Sequence, residues 1–200
     1  MKIRDAKKQA SRERVLDAAR FLFEEVGFHE TTVRMIAERA GLSPGGVFTT
    51  FEDKVGILCQ ILGDYRERLF DEIERLVPSP TGSTRERLHA VIVLAHAHEF
   101  PRMRMVLAYI GASYCWSRRL EEEHRALHGR FRTVITAIVA EGVERGEIDP
   151  KVDADLLVEM ICAVYLRNYR TAFYAGFGEH ELNGRTRRQL DLLFEGACAR

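Results

Sequence analysis

The chain is 200 residues long, 46% hydrophobic and 30% charged, and its 30 Lys and Arg are balanced by 30 Asp and Glu to a formal net charge of zero. That is enough apolar material for one or two packed domains, but no stretch reaches the roughly 20 apolar residues of a membrane span, which argues against a membrane protein. Zero net charge also argues against a sequence-independent DNA-coating protein, which needs a broad basic surface.

No basic and apolar leader opens the sequence, and Cys59, Cys115, Cys162 and Cys198 form no CxxC pair. The expected compartment is a reducing cytoplasm. The basic residues are unevenly spread: Lys2, Arg4, Lys7, Lys8, Arg12 and Arg14 are opposed locally only by Asp5 and Glu13. Such an arm reads either as a solvated terminus or as a phosphate-binding patch.

Residues 1 to about 10 read as frayed, and a first helix is expected from about Ser11 to Val26, with Val15, Leu16, Ala19, Leu22 and Phe23 inside and Gly27 as its end. Phe28 reads as a plug in a small core. Thr31 and Thr32 can cap a second helix bearing Val33, Ile36, Ala37 and Ala40. Gly41 suits a left-handed helix terminus, and Ser43 caps a third helix with Pro44 at its first position. Two helices joined by a short glycine-containing turn form a helix-turn-helix, whose second helix fits the DNA major groove. Gly45 and Gly46 weaken that helix on its own and allow close backbone approach.

Phe51 and Asp53 lead into a helix from about Lys54 to Leu76, and Pro78, Pro80 and Gly82 break the pattern. From Thr84 a succession of amphipathic helices follows. One carries Leu88, Val91, Ile92 and Ala95 and ends near Phe100 and Pro101; a second runs from Met103 to Tyr114; a long third runs from Leu120 to Val143. Asp153 caps a fourth, with Leu156 through Phe173, and a last begins at about Gly184. No run alternates as a strand would, so the fold class is all-α.

Arg14, Ala18, Ala19, Phe23, Gly27, Phe28, Thr31, Thr32, Val33, Ile36, Ala37, Ala40, Gly41, Ser43, Gly46, Phe51, Lys54 and Leu58 together resemble the N-terminal domain of the TetR family of bacterial transcriptional regulators. The resemblance covers about the first 60 residues. It implies a three-helix DNA-binding domain at 1–55 and a helical effector-binding and dimerisation domain at 56–200. The DNA-binding residues it implies are Thr32, Arg34, Ser43, Pro44, Gly45, Phe48, Thr49, Thr50 and Lys54, with Lys54 near a phosphate. The family usually has tyrosine at the place of Phe48 and often histidine or tyrosine at that of Thr50, so residue 48 lacks the hydroxyl for an expected phosphate bond.

The implied partners are double-stranded operator DNA, a small-molecule effector and a second copy of the chain, with no cofactor and no membrane. Two apolar stripes near the C-terminus support a homodimer, placed on Leu157, Ile161, Val164, Leu190, Leu193 and Phe194. Effector-pocket candidates are Met103, Tyr109, Tyr114, Trp116, Phe131, Met160, Tyr165 and Tyr169, which suit an apolar ligand with one or two polar anchors. Glu99, Arg102 and Arg167 are alternative charged anchors, though each reads first as solvated surface.

His89, His96 and His98 share one helix, and His124 and His128 stand at i, i+4 on another, yet no CxxC or HExxH accompanies them and no metal site is expected. The expected function is a ligand-responsive regulator, released from a palindromic operator when a small molecule binds the C-terminal domain. The alternative is an all-α carrier or enzyme with an incidental helix-turn-helix. The absence of GxSxG, GxGxxG and P-loop motifs weighs against that alternative.

Overall fold

The computed structural model describes residues 2–76 and 81–197, except for the side chains of residues 2–4, 123, 124, 126–128 and 197. The expected breaks at Pro78 and Pro80, the His124 and His128 pair and Cys198 lie outside what is described. Among the described residues the regular elements are all helical: α1 (Lys2–Glu25), α2 (Val33–Ala40), α3 (Pro44–Phe48), α4 (Lys54–Leu76), α5 (Thr84–Glu99), a 3-10 turn (Phe100–Arg102), α6 (Met103–Ser113), α7 (Arg118–Glu144), α8 (Ala154–Ala175) and α9 (Glu179–Ala197).

Two boundaries differ from expectation. α1 begins at Lys2 rather than Ser11, because Ala6, Lys7, Lys8, Gln9 and Ala10 are all good helix formers and Gln9 Nε2 donates to Glu13 Oε1 at 3.0 Å, one turn on. α9 begins at Glu179 rather than Gly184. Its first turn is held where the Gly178 N–H donates to Glu181 Oε2 at 2.8 Å, and buried Leu182 anchors it, so Gly184 is simply carried inside the helix.

The chain divides into two compact units, Met1–Tyr65 with Arg104–His124, and Arg66–Met103 with Arg125–Arg200. The division falls inside α4, not near residue 55. Ile57, Leu58, Cys59, Ile61 and Leu62 are buried, and Arg12 of α1 donates to Gln60 at 2.8 Å, which ties the first half of α4 to the first unit.

In the first unit Val15, Ala19 and Phe23 of α1, Ile36 and Ala37 of α2, Val47 of α3 and Phe51 are buried together with the start of α4. Phe28 does plug this core, its ring meeting Phe23 edge to face at 5.2 Å. In the second unit α9 packs on α5 and on α8. Leu88, Ile92, Ile135, Ile138, Ile161, Leu182 and Leu190 are almost fully excluded from water there. Each such aliphatic side chain contributes about 1.5–3 kcal/mol by burial.

Candidate functional site

The helix-turn-helix is set by its caps. Thr32 Oγ1 accepts the Met35 N–H at 3.2 Å, and Gly41, at φ 64°, turns the chain left-handed while its N–H returns to Ala37 and Glu38 carbonyls. Ser43 Oγ then accepts the Gly46 N–H at 3.1 Å, and Pro44 occupies the first position of α3. Leu42 N–H closes the turn on Ala37 O at 2.9 Å. With every turn of backbone fixed this way, a five-residue helix containing two glycines holds its place.

Seven of the nine expected DNA-facing residues, Thr32, Arg34, Ser43, Pro44, Gly45, Phe48 and Thr49, are exposed, while Thr50 and Lys54 are half-buried. Phe48 is 54% exposed, unusual for a large apolar ring. Thr49 Oγ1 donates back to Gly46 O at 2.7 Å, which aims it along the helix.

Lys54 has a different employment from the phosphate contact implied by resemblance. Its ammonium donates to the Phe28, His29 and Thr31 carbonyls at 2.5, 3.3 and 2.7 Å and sits 4.4 Å from the centre of the Phe28 ring. Three donors meet three carbonyls, and burial lowers its pKa despite the opposing charge of Glu30. It clasps the loop between α1 and α2. Arg12 is similarly engaged, on Gln60 and over the Phe51 ring, whereas Lys7, Lys8 and Arg14 are exposed along α1.

In the second unit the expected pocket residues separate. Phe131, Tyr165 and Tyr169 come together: Phe131 stacks on Tyr165 at 4.7 Å, and Tyr165 meets Tyr169 edge to face at 5.3 Å. Met103 is buried in the same unit, but Met160 is 45% exposed. Tyr109 and Trp116 belong to the first unit, where their rings meet at 5.0 Å, and Tyr114 is 85% exposed. Tyr114 and Met160 therefore cannot line a closed core.

At the centre of the aromatic group is a residue expected at the surface, Glu99, which is buried. Its carboxylate accepts from Arg66 Nε at 2.8 Å, from the Tyr169 hydroxyl at 2.5 Å and from the Tyr165 hydroxyl. Burial by itself would raise its pKa, but the Arg66 charge and these three hydrogen bonds outweigh burial and hold it below the usual carboxylate range. Burial and the Glu99 charge push both tyrosines well above their ordinary value, so they remain donors. The available signal was register: Glu99 continues the α5 stripe of Leu88, Ile92 and Ala95, and Arg66 follows Leu62 by one turn on α4.

The histidines are engaged separately. His98 Nε2 is 2.8 Å from Glu72 Oε2, His89 Nε2 is 3.2 Å from Asn183 O, and His96 Nδ1 is 2.7 Å from Asn183 Oδ1. Among the described residues no group of His, Cys, Asp or Glu could hold a metal.

The residues expected at the dimer face are largely covered within the single chain. Leu157, Ile161, Leu190 and Phe194 are buried within the single chain, and Val164 and Leu193 are half-buried. The large apolar and aromatic side chains that α8 and α9 leave in water, among the described residues, are Leu156, Met160, Phe173, Tyr174 and Leu192, at 52%, 45%, 40%, 70% and 68% exposure.

Comparison with known proteins agrees with this architecture. The family described as bacterial regulatory proteins, tetR family, matches residues 15–61, and the tetracyclin repressor-like C-terminal domain matches residues 78–174. The HTH-type transcriptional regulator BetI of Escherichia coli O139:H28 (strain E24377A / ETEC) is 38% identical over 82 residues, which are 40% of this chain and 42% of that one; BetI of Klebsiella pneumoniae (strain 342) matches equally. The alignment thus spans about two fifths of the curated relatives' length.

Among solved structures, the transcriptional regulator FadR from Bacillus subtilis in complex with stearoyl-CoA superposes with a TM-score of 0.74 at 20% identity, over 92% of this chain and 98% of that one. The ketosteroid transcriptional regulator KstR2 of Mycobacterium tuberculosis gives 0.67 at 23% identity, over 94% and 95%. These likenesses establish the fold. With both of its sequence regions matched in order along one all-helical chain, the protein belongs to the tetR family of bacterial regulatory proteins.

Proposed function

We propose that this chain is a ligand-responsive transcriptional repressor that binds a palindromic operator as a homodimer and leaves it when a small molecule occupies the second unit. The observation that carries the reading is the capped helix-turn-helix, which keeps Thr32, Arg34, Ser43, Pro44, Gly45, Phe48 and Thr49 in water instead of in the core. Arg34 and the Thr32 and Ser43 hydroxyls, which accept at their caps and keep a proton to donate, supply phosphate and base-edge donors, and Lys7, Lys8 and Arg14 on α1 add positive charge where the net charge of the whole chain gives none. Lys54 supports the fold of this surface from behind.

Leu156, Met160 and Leu192 supply the apolar contact between subunits, which sets two recognition helices about 34 Å apart on successive major grooves. The buried polar cluster around Glu99 lies where an effector could act on α4, and a coupling of about 1–3 kcal/mol suffices for a useful response. A DNA target is in keeping with a cytoplasmic protein.

The test is selection of binding sites from fragmented genomic DNA of the source organism, followed by fluorescence anisotropy on the recovered site across a salt series. A palindromic site bound by a dimer, about a thousand-fold or more tighter than bulk DNA, is the expected result. Equal affinity for the recovered site and bulk DNA would overturn the reading.

A further inference from the structure

Two buried groups of the second unit face the same aromatic side chains, and both are acceptors. The first is the Glu99 carboxylate, which accepts from Tyr165, Tyr169 and Arg66. The second is His96, one turn earlier on α5 and fully buried. Its ring stacks on Tyr165 at 5.8 Å and stands edge-on to Tyr169 at 5.5 Å. Nδ1 lies 2.7 Å from Asn183 Oδ1, an amide oxygen that can only accept, so Nδ1 carries the ring proton. Burial keeps the ring neutral, which leaves Nε2 with a bare lone pair; that atom is buried and has no hydrogen-bond partner among the described residues.

The arrangement therefore lacks a donor at His96 and holds a cation, Arg66, at Glu99. Around it stand the rings of Tyr165, Tyr169 and Phe131, stacked or edge to face on one another, and an aromatic face turned to a ligand attracts positive charge. We propose that this cluster is the effector site and that the effector is a protonated organic amine with an apolar body, whose N–H groups replace Arg66 on Glu99 and supply the missing donor to His96.

The substitution is like for like. An amine that displaces Arg66 leaves Glu99 compensated, and the guanidinium has a long, flexible stem with which to reach water. An anion that drew Arg66 to itself would instead leave Glu99 buried with tyrosine hydroxyls alone, the costly way to break a buried pair. The inference rests on the regulator reading: α4 runs unbroken from Lys54 to Leu76, so the amine-bound state differs from the free state in the tie between α4 and α5. That difference gives a ligand unequal affinity for the two states, the requirement for a switch.

The experiment is calorimetric titration of the full chain, near neutral pH, with n-octylamine, 1-octanol and octanoate, which share a tail and differ in charge. Saturable binding of n-octylamine, tighter than that of the other two, is expected. Glu99→Gln should weaken it at least about ten-fold, the value of a charged hydrogen bond. Arg66→Gln removes the competing cation and should tighten it, a gain that a purely structural role for Arg66 does not produce, and this arm decides the matter if Glu99→Gln fails to fold. Octanoate binding as tightly as n-octylamine, or weaker amine binding by Arg66→Gln, would overturn the proposal.

Anisotropy on the selected DNA site separates this inference from the reading beneath it. DNA release by n-octylamine supports both. Release by octanoate and not by n-octylamine overturns the amine inference and leaves the regulator standing. Amine binding with unchanged DNA affinity supports the amine site and overturns its role as the effector site.

Discussion

Arg66 Nε lies 2.8 Å from Glu99 Oε1, and both side chains are less than a tenth exposed, so the charge pair joining α4 to α5 is out of water's reach. A pair of this kind adds little over a well-packed apolar one, but half of it is worse than none, because the remaining charge is stranded. Arg66→Met, which leaves the short Glu99 carboxylate without its cation, should therefore cost about 3–5 kcal/mol in urea unfolding. The double variant Arg66→Met with Glu99→Ala should recover a large part of that loss; equal stability of the single and double variants would show that Glu99 is not stranded.

The same core makes stability depend on pH in two steps of one sign. Burial above all lowers the His96 pKa below 6.5, so the unfolded chain binds more protons there and stability falls as the pH drops through about 6.5. Glu99 is also held low, by Arg66 and the tyrosines against the pull of burial, so its contribution is present above 4.5 and is lost as the pH falls further toward its folded value. Thermal melts from pH 8 down to about pH 2.5 should show both losses, and His96→Gln should remove the upper one selectively.

The helix-turn-helix was legible because its signals are local. Thr32, Gly41, Ser43 and Pro44 each specify a backbone state within three residues, and each adopts it. The Glu99 cluster was not legible, because it depends on Arg66, Glu99, Tyr165 and Tyr169 meeting across three helices, and periodicity does not reveal which apolar stripe will accept a charged residue. The dimer face is hard to read from sequence for a related reason. A stripe of large apolar side chains marks burial without saying against what, and Leu157, Ile161, Leu190 and Phe194 are covered by their own chain. Lys54 was read by family position, while its actual contacts are with carbonyls 23 to 26 residues earlier.

A glycine inside α7 makes a sharp test of packing. A Cβ on Gly142 would lie 2.5 Å from Thr84 Oγ1, 2.8 Å from Thr84 Cγ2 and 3.0 Å from Ile148 Cδ1. Glycine to alanine inside a helix normally gains about 0.5–1 kcal/mol, but this contact forces the neighbours apart, and overpacking costs about 1–3 kcal/mol. Gly142→Ala should thus destabilise the protein in denaturant, and adding Thr84→Ala should relieve it. Additive effects of the two changes would refute the contact.

Leu192 and Leu190 offer a contrast on one helix. Leu192 is 68% exposed and Leu190 1%. If the proposed dimer forms through these side chains, Leu192→Glu combined with Met160→Lys should convert it to monomer in sedimentation equilibrium with the helical circular dichroism retained. Leu190→Lys should instead lower the melting temperature steeply, as an unpaired charge in the core does. A dimer that survives the first pair of changes would place the subunit contact elsewhere.

Lys54 separates structural from electrostatic support of DNA binding. As a clasp on the Phe28, His29 and Thr31 carbonyls, it loses its hydrogen bonds when changed to methionine, and Lys54→Met should cost about 1.5–3 kcal/mol of stability. Its ammonium is committed to those carbonyls and releases no counterion from DNA, so the slope of log affinity against log salt should stay at the wild-type value even where affinity falls. Arg34→Ala, at an exposed position of α2, should do the reverse, leaving the melting temperature in place and reducing the slope by about one. If Lys54→Met reduces the slope by the same amount, its ammonium leaves the carbonyls for a phosphate in the complex, and the clasp is a feature of the free protein alone.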